Sequence, residues 1–432
     1  MSEKKYIFHI DVNSAFLSWS AVKRLKDDPT SQDLREIPSV VGGNQATRHG
    51  IVTAKSVPAK KFHIETGEPV AKALQKCPSL VLVSSDFSTY REYSRAFIAI
   101  LYRYTDVIQQ ASIDEAYMDV TGLYDQYKTM VTEELPYPLC LAENIKNTIY
   151  RELGFTVNVG ISNNKLLAKM ASDFEKPDKI HTLFPEEVPS KMWPLPIRDL
   201  YGCGKRTAER LNRLGIKTIG DAAKMPLEVL QSHLGNKGGE YIHRSANGIG
   251  SDVLATEERE AKSYSNETTT PYDITRDNYG TEMPQKLQYL SEKVAGRMKR
   301  DTCYAGTISV IVKTSDFKKH SMQTKLSKST NDEKVIFETA TELMSALVFG
   351  ESKMSGRPER GGEGLFSEPG MGIRLVGVRA SGLDDGSYRQ MTLFEVEENE
   401  KNREKEEKRG RLDQMMGDIR KRYGEEAIHR GM

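Results

Sequence analysis

Two acidic clusters, roughly a hundred residues apart, are the residues best placed to do chemistry: Asp11, closing Tyr6-Ile7-Phe8-His9-Ile10-Asp11, and Asp114-Glu115, within Ser112-Ile113-Asp114-Glu115-Ala116-Tyr117. Each lies in or just after an apolar, β-branched run that reads as a buried strand. A carboxylate at the end of a core strand is costly without a partner. Three that converge would repel by about 4 kcal/mol per close pair at ~4 Å and an effective dielectric near ~20. Domain stability is only about 5–15 kcal/mol. Divalent metal answers such repulsion, and oxygen-only ligands suit magnesium or manganese. The pattern points to metal-assisted chemistry on phosphate. Adjacent strand residues point to opposite faces, so Asp114 and Glu115 share one metal region only where the chain turns. The alternative is a solvated hairpin with ordinary surface acids.

Three further motifs accompany the acids. Val159-Gly160-Ile161-Ser162-Asn163-Asn164-Lys165 runs from a strand into a helix with a lysine near its first turn. Helix N-termini bind anions, and Lys165 would add a point charge for a phosphate, unless this is a plain capped junction. Leu200-Tyr201-Gly202-Cys203-Gly204-Lys205-Arg206-Thr207, with Leu211, Leu214 and Gly215-Ile216, is a helix-hairpin-helix pattern. Gly202 and Gly204 would let the turn approach a nucleic-acid backbone, whose phosphates accept from main-chain N–H groups beside Lys205; a structural turn is the other reading. Gln390-Met391-Thr392-Leu393-Phe394 sets large apolar side chains against a charged tail. That suits a peptide docking into an apolar pocket, or packing on its own domain.

The elements that must position these residues follow from periodicity. Strands are predicted at 6–10, within 112–122 as a pair around the acidic turn, and at 156–161. Helices are predicted from about Ser14, over 90–104 and over 139–153, with short β-type runs from 34 to 83. Short helices fill 196–245, and a linker follows from Gly248 to Lys262. A second α+β unit has strands at 262–270, 306–315, 319–326 and 372–379, helices at 284–300 and 331–348, and a long loop at 350–370. Lys313, Lys318, Lys319, Lys325 and Lys328 lie on or between its strands.

At 432 residues, with 28% charged and 38% hydrophobic, the chain is a soluble multidomain protein, and its net charge of +1 requires any basic surface to be local. Cys77, Cys140, Cys203 and Cys303 form no CxxC pair and imply neither zinc nor disulfides, as in a reducing cytosol. Met1–Lys5 lacks a signal-type stretch and no run approaches membrane-spanning length, so a cytoplasmic protein with no membrane partner is expected.

Together and in this order, the motifs resemble the Y-family translesion DNA polymerases of the bacterial DNA polymerase IV and UmuC type, over the whole chain. The resemblance implies an α+β right hand: palm (1–19 and 81–175), fingers (20–80), thumb with helix-hairpin-helix (176–245), linker (246–261), little-finger DNA-binding domain (262–388) and a clamp-binding tail (389–432). It implies that Asp11, Asp114 and Glu115, with the Val12 carbonyl, hold two Mg2+ ions (Mn2+ as substitute). Phe16, five residues after Asp11, would be the steric gate against ribonucleotides, and Lys165 and Lys60 would contact the incoming triphosphate. Gly202, Gly204 and Lys205 would hold DNA. Gln390, Leu393 and Phe394 would bind the bacterial sliding clamp.

Two fingers positions depart from the family. Many members have tyrosine where Val57 stands and arginine where Lys60 stands. Lysine supplies charge without bidentate geometry, and valine supplies no hydroxyl. The implied function is low-processivity translesion synthesis from dNTP on primer-template DNA by a monomer, in DNA repair and the SOS response. A two-metal phosphodiesterase or an inactive DNA-binding scaffold are the alternatives.

Overall fold

In the computed structural model, which describes residues 4–43, 50–256, 260–350, 363–386 and 415, the apolar run ending at Asp11 becomes β1 (Ile7–Val12), buried throughout. Then come α1 (Ala15–Asp27), β2 (Ser39–Gly42), β3 (Val52–Lys55), α2 (Val57–Lys60), α3 (Val70–Lys76), β4 (Val81–Val83) and α4 (Phe87–Leu101). Next are the hairpin β5 (Ile108–Gln110) and β6 (Glu115–Asp119), α5 (Tyr124–Tyr127), α6 (Leu139–Leu153), β7 (Val157–Ser162), α7 (Lys165–Ser172) and β8 (Ile180–Thr182). Four helices follow: α8 (Lys205–Arg213), α9 (Ile219–Lys224), α10 (Leu227–Leu234) and α11 (Asn236–Ala246). All belong to the first of two compact units, which divide at Glu260/Ala261.

A five-stranded sheet, ordered β5-β6-β1-β7-β8, sets β1 between antiparallel β6 and β7. Side chains alternate across it. Phe8, Ile10 and Val12 enter the main core with Trp19 of α1, Phe97 of α4 and Ile145 of α6. Ile7 packs on the other face with Ala168 of α7 and Tyr117. A three-stranded sheet, β3-β2-β4, has its own small core around Val40, Val52 and Val70.

The helix predicted at 139–153 is α6. Helix α4 starts earlier than predicted because the Asp86 carboxylate accepts from Thr89 N (3.2 Å) and caps it there. The strand pair expected within 112–122 is displaced. Its first strand is β5, whose polar Gln109-Gln110 hid it, and the turn spans Ala111–Asp114.

The second unit contains β9 (Ser263–Ile274), α12 (Tyr279–Arg300), β10 (Tyr304–Thr314), β11 (Lys319–Thr330), α13 (Glu333–Phe349) and β12 (Ile373–Asp384). Its antiparallel sheet is ordered β11-β10-β12-β9. Ile308, Val310, Val312, Val376 and Val378 pack under Leu287 and Val294 of α12 and Ile336 and Leu343 of α13. The intervening residues, Lys313 and Arg379 among them, therefore lie on the face away from both helices. Among the described residues, no helix is long and apolar enough to cross a membrane.

Candidate active site

Strand pairing brings the two acidic clusters together. Asp11 and Glu115 are direct partners across β1 and β6, so their side chains share a face. The Val12 N–H donates to the Asp114 carbonyl (3.0 Å), which sets the turn beside the end of β1. The Val12 carbonyl lies on that same strand edge. The Asp114 carboxylate is turned aside and accepts from Ser112 Oγ (2.6 Å).

Counter-charge comes from two lysines to which the sequence alone assigns no role. Lys169 Nζ donates to Glu115 Oε1 (2.6 Å) and lies 3.8 Å from Asp11 Oδ2, while Lys176 Nζ bonds to Asp11 Oδ2. Gly160 makes this possible. A Cβ there would lie 2.0 Å from the Ala168 carbonyl oxygen, so only glycine lets α7 lie flat on β7 and carry Lys169 over the acids. Burial holds the Asp11 carboxyl above its usual range, and Lys176 and Lys169 only partly oppose it. Burial also works against the charge on both lysines, but their carboxylates outweigh it and hold both pKa values up. His9, on the same face, is held well below its usual value by burial and then by the two ammoniums. Its Nδ1 is 2.8 Å from Ser172 Oγ.

Lys165 is not brought to this cluster. Antiparallel β7 ends at Ser162 opposite Ile7, four residues along β1 from Asp11, about 13 Å away. The α7 N-terminus is also already occupied: Asn164 Oδ1 accepts from Leu167 N (3.0 Å) and Ser251 O from Lys165 N (3.0 Å). Lys165 Nζ instead donates to Gln109 (3.2 Å) and lines a cleft of about 1280 Å³ with Tyr117, Tyr201, Tyr241 and Arg244. The expected linker is bonded to the same region, since Ala255 N donates to Gln109 Oε1 (3.0 Å).

Phe16 stands in the first turn of α1, after a left-handed Ser14 (φ 48°). Its ring stacks on Tyr90 (centroids 4.5 Å apart, planes 10° apart) and meets Phe87 edge-on. Ser20 Oγ ties the two together, 2.8 Å from the Phe16 carbonyl and 3.0 Å from Tyr90 Oη. Lys60 and Val57 are exposed at opposite ends of four-residue α2.

At the hairpin, Gly202 has φ +82° and a Cβ there would strike Tyr241 Oη at 2.3 Å, whereas Gly204 faces open space. Lys205 is exposed at the start of α8. A short 3₁₀ turn (Ile197–Asp199) precedes the hairpin where the pattern suggested a helix. Gln390, Leu393 and Phe394 lie outside the described residues.

The donor set is all hard oxygen and its two strand-borne members face each other, so it fits magnesium or manganese. Among the described residues, no three acidic, histidine or cysteine side chains lie together at metal-holding positions. Ligation therefore requires Asp114 to turn from Ser112 and the lysines to yield.

Residues 10–173 match the model of the impB/mucB/samB family and residues 261–393 its C-terminal domain. Residues 198–250 match a DNA polymerase-iota thumb domain. The chain therefore belongs to the impB/mucB/samB family, the Y-family polymerases of the DNA polymerase IV type, with their right-hand fold. It is similar to the DNA polymerase IV of Clostridium acetobutylicum, with 41% identity over 99% of this chain and 98% of that one. DNA polymerase IV 1 of Bacillus subtilis is 31% identical over 99% and 93%. A solved Y-family DNA polymerase chimera superposes with a TM-score of 0.66 at 25% identity, covering 87% of this chain and 98% of its own.

Proposed function

We propose that this Y-family chain, a DNA-directed DNA polymerase of translesion type, joins nucleotides to a primer 3′-hydroxyl at the Asp11–Glu115 end of its five-stranded sheet. The observation that carries this placement is the cross-strand Asp11–Glu115 pair with two ammonium groups converging on it. Asp11, Asp114, Glu115 and the Val12 carbonyl would hold two divalent ions, Mg2+ or Mn2+. When bound, these supply activation of the 3′-hydroxyl and charge neutralisation on the leaving pyrophosphate.

The remaining roles fall to the chain's own side chains. Lys176 and Lys169, rather than Lys165, stand where they can offset charge on the triphosphate. Lys60 adds a point charge from the fingers. Phe16, fixed by Tyr90 behind it, presents a rigid ring to the sugar and leaves no space for a 2′-hydroxyl. The cleft around Lys165, Tyr201 and Arg244 and the hairpin at Gly202, Gly204 and Lys205 grip the duplex backbone. Lys313, Lys319, Lys325 and Arg379 share one face of the second unit and add further phosphate contacts. Base pairing supplies sequence, so a net charge of +1 is enough. Palm, fingers, thumb and little finger take the boundaries given above. Gln390, Leu393 and Phe394 dock on the sliding clamp, and the chain works in the cytoplasm as a monomer.

One experiment tests the placement. Primer extension with Mg2+ and dNTPs should fall at least about 10²–10³-fold in Glu115→Ala and Asp114→Ala, with duplex binding retained. Retained extension in both would end the assignment, and primer shortening with Mg2+ alone would favour a nuclease. In the same assay Phe16→Ala should admit ribonucleotides, and loss of Leu393 and Phe394 should remove stimulation by the clamp alone.

A further inference from the structure

Asp173 is outside the proposed ligand set, yet both lysines touch it. Its Oδ1 is 2.8 Å from Lys176 Nζ and its Oδ2 is 3.3 Å from Lys169 Nζ. Each ammonium therefore spans Asp173 and the proposed metal ligands, Lys176 reaching Asp11 and Lys169 reaching both Glu115 and Asp11. Asp173 is also the accessible one, its side chain 45% exposed against 9% for Asp11. Lysine and metal compete for the same Asp11 and Glu115 oxygens. Lys169, with a side chain only 10% exposed, could not release them without becoming an unpaired buried charge unless another carboxylate were in reach.

Resting on the reading of Asp11 and Glu115 as metal ligands, we propose that Asp173 is a positioning residue that takes over Lys169 and Lys176 as metal enters. The exchange then needs side-chain rotations and leaves no ammonium unpaired. No proton or covalent bond changes hands. The lysines stay next to the site, ready for the polyphosphate.

The test is Mn2+ binding to the full chain without nucleotide or DNA, read from the electron paramagnetic resonance signal of free Mn2+, with folding checked by circular dichroism. Asp173→Asn should weaken binding about tenfold, a usual size for coupling between sites, and Asp173→Glu should restore it. Lys176→Met should tighten binding by a similar factor, with Lys176→Gln as substitute if the methionine variant does not melt cooperatively. In the Lys176→Met background the Asp173→Asn effect should shrink to below about threefold, because its main partner is gone. An undiminished effect there would mean that Asp173 acts only as a nearby charge, and would overturn the proposal. So would unchanged affinity in both single variants, or shifts of the same sign. Asp11→Asn separates the two levels: if it leaves Mn2+ affinity intact, the ligand reading itself fails; if it abolishes binding while Asp173→Asn has no effect, only the role of Asp173 falls.

Discussion

Asp11 faces Glu115 across β1 and β6, and Lys313 faces Lys319 across β10 and β11, so each unit carries a like-charge pair on directly opposed strand positions. Such pairs destabilise a sheet by roughly 0.2–1 kcal/mol when exposed, and by more when buried. The first pair is tucked under α7 and two lysines of its own chain neutralise it. The second lies on the face away from α12 and α13 and has weaker company. Lys313 Nζ sits 4.8 Å from the Phe317 ring centre and Lys319 Nζ 3.9 Å from a Glu267 oxygen. A buried pair must carry fixed counter-charges, which then govern what else can bind. An exposed pair can leave neutralisation to water and to whatever anion lies on it.

The largest effect that would break this contrast is the loss of a fixed counter-charge. Lys169→Met should destabilise the protein by about 3 kcal/mol in urea unfolding, the scale of a broken buried pair. A change no greater in size than that of Lys319→Ala would erase the distinction. Next, Lys313→Ala with Lys319→Ala should lower the slope of log duplex affinity against log salt by about 1.8, two phosphate contacts' worth. An unchanged slope would take that face out of DNA binding.

A smaller effect concerns pH. Burial raises the Asp11 pKa above its ordinary 3.8, so the folded state holds that proton more tightly than the unfolded chain. The stabilisation is full below pH ~4 and is lost as pH rises through the folded pKa. At neutral pH the ionised carboxylate is therefore a net cost. Asp11→Asn should raise the melting temperature by a few degrees near pH 7, and the gain should vanish near pH 3. A gain that persists in acid would assign the effect to packing. The smallest effect is Lys319→Ala alone, which should stabilise the second unit by no more than about 0.5 kcal/mol at low salt.

Much of this was legible in the residues. The unbroken apolar run before Asp11 marked a central strand, and the acid-bearing turn marked its partner, because burial leaves a clear pattern. Lys165 starts a helix at the C-terminal end of β7, and helix polarity alone does not say where that end lies relative to Asp11. That depends on the antiparallel pairing of β7 with β1. The sequence alone assigns no role to Lys169 and Lys176, although Lys169 follows Lys165 by one helical turn. What brings Lys169 over the acids is the close approach of α7 to β7 at Gly160, which shows only once the helix is laid on the strand. Strand β5 escaped for a similar reason: two glutamines and an isoleucine show no alternation until β6 lies beside them.

Helix α7 has one more consequence. Its flank at Ala168 and Ser172 rests on Gly160 of β7, while Leu167 and Met170 are embedded among Leu200, Leu211 and Leu230 of the helical cluster that follows. One rod thus serves as the common axle of two cores. Any swivel of that cluster is also a swivel of the ammonium above Glu115, and the two cores are geared together.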